Sequence, residues 1–183
     1  MRRLAPLAAV LLLAACAADG APRGGGATIT GGPALSADVF PFETPAMTFA
    51  TRQGGIVGVR VEPTGDGALM WITGDFPQPR RIEWRRQGDD LVAHDGPDRG
   101  VVLLRFGAEP GTAWTSSGQT ITFEGWERVE TAVGTFDAAR LRTEAGVDDL
   151  LVVESWWFAR DAGLVRYAQD RAGLFRLEMS RVR

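Results

Sequence analysis

Hydrophobic and polar residues alternate along most of the chain after residue 38. Over residues 57–62 Val alternates with Gly, Arg and Glu, and over 175–180 Phe, Leu and Met alternate with Arg, Glu and Ser. A period of two places successive side chains on opposite faces of a strand, so each run predicts a β-strand with one buried face. Turn residues separate such runs roughly every 8–12 residues, and no long run has the helical period. The pattern predicts an all-β domain.

Two consecutive hairpins are predicted in the second half of the chain, because β-branched and aromatic residues there are bounded by Gly and Asp. Their outgoing and returning strands are 129–131 with 136–141, and 150–159 with 164–169. We expect Gly134 and Gly163 to adopt a positive φ in the two turns, since glycine does so without steric cost.

The chain as a whole is expected to contain about ten to thirteen short strands joined by tight turns. Such turns favour an antiparallel meander, which would form a strongly curved sheet or an open β-barrel. A two-sheet β-sandwich is the alternative. The sequence contains 6 Trp, and Trp156 and Trp157 are adjacent, so they point to opposite faces of one strand. Both faces of that strand therefore need cover.

The N-terminus has the form of a bacterial lipoprotein signal. Arg2 and Arg3 precede an apolar run over residues 4–13, which is too short for a membrane-spanning helix of about 20 residues. The run ends in Leu13-Ala14-Ala15-Cys16, which resembles the lipobox. This resemblance implies cleavage before Cys16, a diacylglyceryl thioether on its sulfur and acylation of the new N-terminus. We expect residues 1–15 to be a signal peptide.

Residues 16–37 are rich in Ala, Gly, Pro and Thr and can bury too little apolar surface to offset their ordering entropy. They are predicted to form a lipidated flexible tether, followed by a single all-β domain over residues 38–183. Cys16 is the only cysteine, so no intramolecular disulfide can form. Ala17 follows Cys16, whereas enteric lipoproteins with Asp there stay in the inner membrane. By analogy we expect the periplasmic face of the outer membrane.

The charge balance limits the partners. The 20 Lys and Arg residues are all Arg, and the formal net charge is −3. A mildly acidic chain lacks the basic surface that nucleic acid requires. The expected partners are the membrane, through the lipid on Cys16, and envelope proteins or lipid.

The domain resembles a group of secreted and lipoprotein domains of bacteria. Their signature is roughly T-V-P-A-G-T-F-x-A-x-R-V followed by W-F-A-P-G-V-G-L-V-R, with a P-G-x-x-W element upstream. The matching residues are Pro110-Gly111, Trp114, Gly134-Thr135-Phe136, Ala138, Arg140-Leu141, Trp157-Phe158-Ala159 and Gly163-Leu164-Val165-Arg166. Ala132-Val133 and Arg160-Asp161 depart from the Pro-Ala and Pro-Gly of the signature, which predicts less rigid turns. The resemblance, over about residues 39–183, implies a fold but no mechanism.

Candidate catalytic and metal-binding residues are few. His94 is the only histidine, and a nucleophilic triad would need it to reach Ser116 or Ser117; no nucleophile elbow is present. A metal site at His94 would use neighbouring acidic residues, but their spacing matches no calcium or zinc motif. The acidic residues are Asp89, Asp90, Asp95 and Asp98. We interpret this region as a solvated acidic loop and expect no metal and no cofactor.

Four glutamates could supply the carboxyl pair of a glycosidase: Glu124, Glu127, Glu130 and Glu154. Glu154 lies in a run that is apolar on both faces, so it is expected to be buried and to pair with an Arg such as Arg140 or Arg166. We interpret these residues as structural and expect no enzymatic activity.

The aromatic residues are a stronger indication of function. Trp156, Trp157 and Phe158 form a candidate apolar-ligand face, and a self-covered core with a small cavity is expected for the isolated domain. The first hypothesis is a lipoprotein that acts as a non-catalytic binding or scaffolding module. The alternative is a periplasmic carrier of lipid or another apolar ligand. A cavity lined by Trp and Leu would favour the carrier, and a filled core with an exposed patch would favour the module.

Overall fold

The computed structural model describes residues 31–40, 46–74, 78–94, 100–147, 149–172 and 175–183. A short 3-10 helix over Ala37–Val39 precedes the strands. The strands are β1 (Ala46–Thr51), β2 (Ile56–Thr64), β3 (Gly67–Thr73), β4 (Arg80–Gln87), β5 (Asp90–His94), β6 (Gly100–Arg105), β7 (Ala113–Ser116), β8 (Gln119–Thr131), β9 (Gly134–Val147), β10 (Leu150–Ala159), β11 (Gly163–Arg171) and β12 (Phe175–Arg181). None of the helical structure within these ranges is long and apolar enough to cross a bilayer.

All twelve strands form one antiparallel sheet in the order β6-β5-β4-β3-β2-β1-β12-β11-β10-β9-β8-β7. Strands that are neighbours in sequence pair with each other, except for β6 and β7, and β1 also pairs with β12. The edge strands β6 and β7 approach each other through side chains. The Trp114 indole donates to the Val102 carbonyl at 2.8 Å, and the Ser117 hydroxyl donates to the Gly100 carbonyl at 2.6 Å. The predicted meander is therefore confirmed as a single sheet that nearly closes into a barrel, and the two-sheet alternative is not the fold.

The alternating pattern of the sequence decides which residues enter the barrel. On β2 the valines at 57, 59 and 61 are buried, while Arg60 between them is exposed. The same alternation on the other strands produces one large core inside the barrel. Within it Phe40 stacks on Trp84, with ring centroids 4.4 Å apart, and both rings contact Phe158 edge-on. Burial of these aromatic rings supplies much of the stabilisation of a fold without long helices.

Both predicted hairpins are confirmed. Two residues, Ala132 and Val133, connect β8 to β9, and residues 160–162 connect β10 to β11. Gly134 has φ +143° and Gly163 has φ +71°, so both glycines adopt the expected conformation.

Residues 31–40 close one end of the barrel, which we call the plug end. The backbone of Leu35 exchanges hydrogen bonds with Gly107 and Ala108, and the Trp126 indole donates to the Pro33 carbonyl at 2.7 Å. This end also carries the turns that follow the even-numbered strands, because strand direction alternates around the sheet.

The residues packed at the plug end include part of the segment that was predicted to be a flexible tether. Leu35 is 1% exposed and belongs to the main core, although it lies within the segment 16–37 that composition predicts to be flexible. The packed structure therefore reaches back at least to Leu35, earlier than the predicted start at residue 38. Residues 1–30, with the predicted signal peptide and Cys16, lie outside the described residues.

Candidate functional site

A cavity lies inside the barrel and is lined by every strand except β1 and β7. The lining residues are Val59, Met70, Ile72, Ile82, Trp84, Ala93, Val101, Leu103, Gln119, Thr143, Glu154, Trp156, Leu164 and Met179. All but three of them are apolar. The volume of the cavity is about 50 Å³.

The strand register brings the polar lining residues together. Thr143 on β9 lies directly opposite Glu154 on β10, and Gln169 on β11 lies opposite Glu154 on the other side. Gln119 on β8 is two residues before Ile121, the partner of Thr143. All four side chains are buried. We call Gln119, Thr143, Glu154 and Gln169 the polar row.

Glu154 is held by two neutral donors. The Tyr167 hydroxyl and the Gln169 amide each donate a hydrogen bond of 2.8 Å to Glu154 Oε1. Burial raises the pKa of Glu154 from 4.5 to about 7, against the lowering effect of these two hydrogen bonds and of the Arg171 charge. Burial, followed by the negative charge of Glu154, raises the pKa of Tyr167 well above its usual value. Tyr167 therefore stays protonated and remains a donor near neutral pH.

Three cavity-lining residues carry a buried polar atom that has no hydrogen-bond partner among the described residues. These atoms are Trp84 Nε1, Trp156 Nε1 and Thr143 Oγ1. Their residues are 3%, 7% and 2% exposed. Buried polar groups are nearly always hydrogen-bonded in folded proteins, so three such groups around one cavity call for an explanation.

The candidate face of Trp156, Trp157 and Phe158 is divided between the two sides of the sheet. Trp156 lines the cavity, and Phe158 packs beside it in the main core, with parallel rings 6.3 Å apart. Trp157 belongs to a separate cluster on the outer side, with Val129, Ala138, Ala159 and Val165. The three residues therefore do not form one surface.

On the outer side, Trp157 is covered by charged side chains. The guanidinium carbons of Arg140 and Arg166 lie 5.3 and 4.9 Å from its ring centroid, a geometry that permits cation–π attraction. The Trp157 indole donates to Glu127, and Arg166 pairs with Glu178. These contacts provide the cover that the second face of β10 requires.

The prediction that Glu154 pairs with Arg140 or Arg166 is wrong. Both arginines lie opposite Trp157 in the strand register, so they share its outer face, whereas Glu154 is three residues earlier and points into the barrel. Arg140 instead pairs with Glu124 at 2.8 Å and Glu127 at 3.7 Å.

The face of the sheet on which each glutamate lies also bears on whether two of them could form the carboxyl pair of a glycosidase. Glu124 and Glu127 share Arg140 on the outer face, and Glu130 is an exposed residue near the end of β8. Glu154 is on the inner face. Glu154 is thus separated from Glu124 and Glu127 by the sheet.

His94 lies opposite Gly100 in the strand register, and its Nε2 has no hydrogen-bond partner among the described residues. It ends β5, whereas Asp90 begins that strand and pairs with Arg105 at 3.0 Å; five strand residues span about 13 Å between these ends. The Ser116 hydroxyl accepts from the Val102 amide at 2.9 Å, and Ser117 is bonded to Gly100. Asp95 and Asp98 lie outside the described residues. Within the described ranges no three acidic, His or Cys residues are placed to hold a metal ion.

The sequence analysis missed three cavity-lining residues, Trp84, Gln119 and Thr143, and it also missed Gln169 of the polar row. The sequence contained a signal for Gln119, Thr143 and Gln169, because each occupies a position of its strand at which the alternating pattern predicts an apolar residue.

No family model and no curated protein matches the sequence. Two solved structures are similar in fold. One is a predicted exported protein with a YmcC-like fold from Bacteroides fragilis, with 14% identity, a TM-score of 0.49, and coverage of 82% of this chain and 98% of that chain. The other is a predicted lipoprotein from Parabacteroides distasonis, with 12% identity, a TM-score of 0.42, and coverage of 79% and 96%.

Proposed function

We propose that the chain is a lipid-anchored lipoprotein of the cell envelope that binds a small apolar ligand inside its barrel and performs no catalysis. The observation that carries this proposal is the cavity, which is lined by ten strands and is apolar except at the polar row. This choice promotes the carrier hypothesis over the scaffolding module, because the interior is not completely filled.

The size of the cavity limits the ligand. A volume of about 50 Å³ has room for about four water-sized spheres, so the ligand is a small molecule or the end of an apolar chain. An apolar ligand that enters gains dispersion contacts with the apolar part of the walls. The walls here offer Trp84, Trp156 and Leu164 for such contacts.

The anchor would hold this site near the membrane. The lipobox ends at Cys16, and the described structure begins at residue 31, so the 14 residues between them can extend over at most about 50 Å. Residues 31–40, which follow the predicted tether in sequence, pack at the plug end. The absence of Asp after Cys16 supports the periplasmic face of the outer membrane as the location.

The scaffolding module remains a second candidate because of one surface feature. Leu150 and Leu151, at the start of β10, are 39% and 49% exposed. Adjacent exposed leucines at a hairpin are a feature of protein contact sites. The two candidates differ in whether an apolar ligand enters the barrel.

The proposal can be tested with the mature chain, residues 16–183, carrying Cys16→Ser so that it is made without lipid. Toluene is the probe, because it is a small molecule without a polar group. We expect saturable binding by calorimetry and a rise in the thermal midpoint, since a ligand of the folded state alone stabilises it.

Two cavity-filling variants locate the binding. Ala93→Leu on β5 and Val59→Leu on β2 add carbon atoms to two strands of the lining, and both should weaken toluene binding, while Val133→Leu on an exposed turn should not. Circular dichroism identifies any variant that fails to fold. Absence of toluene binding in the wild type, or equal binding in folded Ala93→Leu and Val59→Leu, would show that the cavity is not a ligand site.

A further inference from the structure

Two layers of aromatic rings form one wall of the cavity. Trp84 and Trp156 line the cavity and make the first layer. The Phe40 ring stacks on Trp84, with ring centroids 4.4 Å apart. The Phe158 ring is parallel to that of Trp156, with centroids 6.3 Å apart. Phe40 and Phe158 are buried in the main core but are not among the lining residues, so they make the second layer.

The second layer lies on the side of the cavity that faces the plug end. β10 runs towards that end, and Phe158 follows Trp156 by two residues on the same face, so it is about 7 Å nearer to the plug end. The Phe40 ring contacts Phe158 edge-on, with centroids 6.2 Å apart. The barrel interior between the cavity and the plug end is therefore occupied by these rings.

The segment 31–40 holds the Phe40 ring in place. Leu35, Val39 and Phe40 are all buried in the main core. The backbone amide of Asp161 donates to the Asp38 carbonyl at 2.8 Å, which fixes the backbone two residues before Phe40. The plug end of the cavity is thus closed by a segment that precedes the first strand of the barrel.

We propose that Phe40 sets the upper length limit of the ligand, because its ring closes the plug-end side of the cavity. This inference rests on the proposed function and specifies the size class of its ligand. The wild type accepts a small apolar molecule such as toluene and gains nothing from a longer alkyl chain. The segment that carries Phe40 follows the predicted tether in sequence.

The limit follows from the packing of the wall. Protein interiors are as dense as organic crystals, so additional carbon atoms enter a filled region only with strain. Removal of the Phe40 ring takes away the stacking partner of Trp84. The space of that ring then becomes available to a ligand, either directly or through movement of the Trp84 indole. Apolar cavities of about 150 Å³ that were created by truncation of a core side chain bind benzene.

The experiment compares toluene with butylbenzene, which have the same ring and differ by three methylene groups. Calorimetry on the unlipidated mature chain gives both dissociation constants for the wild type and for Phe40→Ala. Each buried methylene raises the affinity about fourfold. We expect butylbenzene to bind the wild type no more tightly than toluene does. In Phe40→Ala butylbenzene should bind at least about tenfold more tightly than toluene, which corresponds to burial of about two of the three methylenes.

A second variant and a matched control accompany Phe40→Ala. Phe40→Leu removes less volume and should raise the ratio of butylbenzene affinity to toluene affinity by a smaller factor. Circular dichroism identifies any variant that fails to fold, and Phe40→Leu decides the question if Phe40→Ala does so. The control is Phe136→Ala, which removes the same ring from the cluster around Trp157 on the outer side of the sheet. Its affinity ratio should equal that of the wild type.

The outcomes separate this inference from the proposed function. If toluene does not bind the wild type, the proposed function falls and this inference falls with it. If toluene binds the wild type but butylbenzene binds it at least about tenfold more tightly, the cavity is a ligand site and the length limit is wrong.

Two further results would overturn the role of Phe40 while the proposed function stands. The first is an affinity ratio in the folded Phe40 variants that equals the wild-type ratio. The second is an equal rise of the ratio in Phe136→Ala, which would show that general loosening of the fold admits the longer chain.

Discussion

Glu154 should make the stability of the fold depend on pH. Burial raises its pKa from 4.5 in water to about 7 in the barrel, so the folded state holds this proton more tightly than the unfolded chain does. The stabilisation from this proton is fully present below pH 4.5 and is lost as the pH rises through about 7. At 1.36 kcal/mol per pKa unit the full effect is about 3 kcal/mol.

The perturbation is Glu154→Gln, which keeps a side-chain oxygen for the hydrogen bonds from Tyr167 and Gln169 and removes the titration. Urea unfolding at pH 5 and pH 8, followed by tryptophan fluorescence, measures the free energy of unfolding of both chains. Between pH 5 and pH 8 the free energy of unfolding of the wild type should fall by about 2–3 kcal/mol more than that of Glu154→Gln. The difference is smaller than the full effect because part of the stabilisation is already lost at pH 5.

The matched control is Glu130→Gln, at an exposed position near the end of β8; the difference between its stabilities at pH 5 and pH 8 should match that of the wild type. If wild type and Glu154→Gln lose the same free energy between pH 5 and pH 8, the carboxyl is not buried as described. The polar row would then not exist in solution.

Three further predictions concern the anchor, a turn and the plug end. Cys16→Ser in the full chain should abolish lipid labelling and signal cleavage, whereas processing to the same mature size would contradict the lipoprotein assignment. Gly134→Val should destabilise by at least about 1 kcal/mol, because a β-branched residue is strained at positive φ; an unchanged urea midpoint would argue against the turn. Phe40→Ala should lower the free energy of unfolding by about 3–5 kcal/mol through lost packing on Trp84. The control in urea unfolding is Val133→Ala at an exposed position, which should change the stability little. Similar midpoints for the two variants would show that residues 31–40 do not plug the barrel.

The hairpins could be predicted from the sequence because each depends on nearby residues. Alternation with a period of two assigns every side chain to a face, and a Gly in the turn fixes where the strand reverses. The limits of β10 agree with the prediction for that reason, and β11 starts one residue earlier than predicted, at Gly163. The opposite orientations of Trp156 and Trp157 follow from the same period.

The plug end could not be predicted, because it depends on contacts distant in sequence. Pro33 accepts from Trp126, which lies 93 residues later, and Leu35 packs in a core built mainly by the strands. The composition around Leu35 is that of a flexible segment. Local composition measures only what a segment can bury by itself, and here the barrel supplies the burial.

The polar row was only partly accessible from the sequence. Glu154 was predicted to be buried, but its partners depend on which residues of β9 and β11 lie opposite it. The strand register places Thr143 and Gln169 there and moves Arg140 and Arg166 to the outer face. The cavity itself arises only when both halves of the sheet curve towards each other, which no single strand encodes.

The central claim is that a ligand binds inside the barrel, and a crystal structure of the unlipidated mature chain grown with bromobenzene, an analogue of toluene, tests it most directly. The anomalous signal of bromine locates the ring independently of the protein atoms. We predict a bromine peak enclosed by Trp84, Trp156 and Leu164. Bromine only on the outer surface, with the cavity filled by the protein's own side chains, would contradict the account.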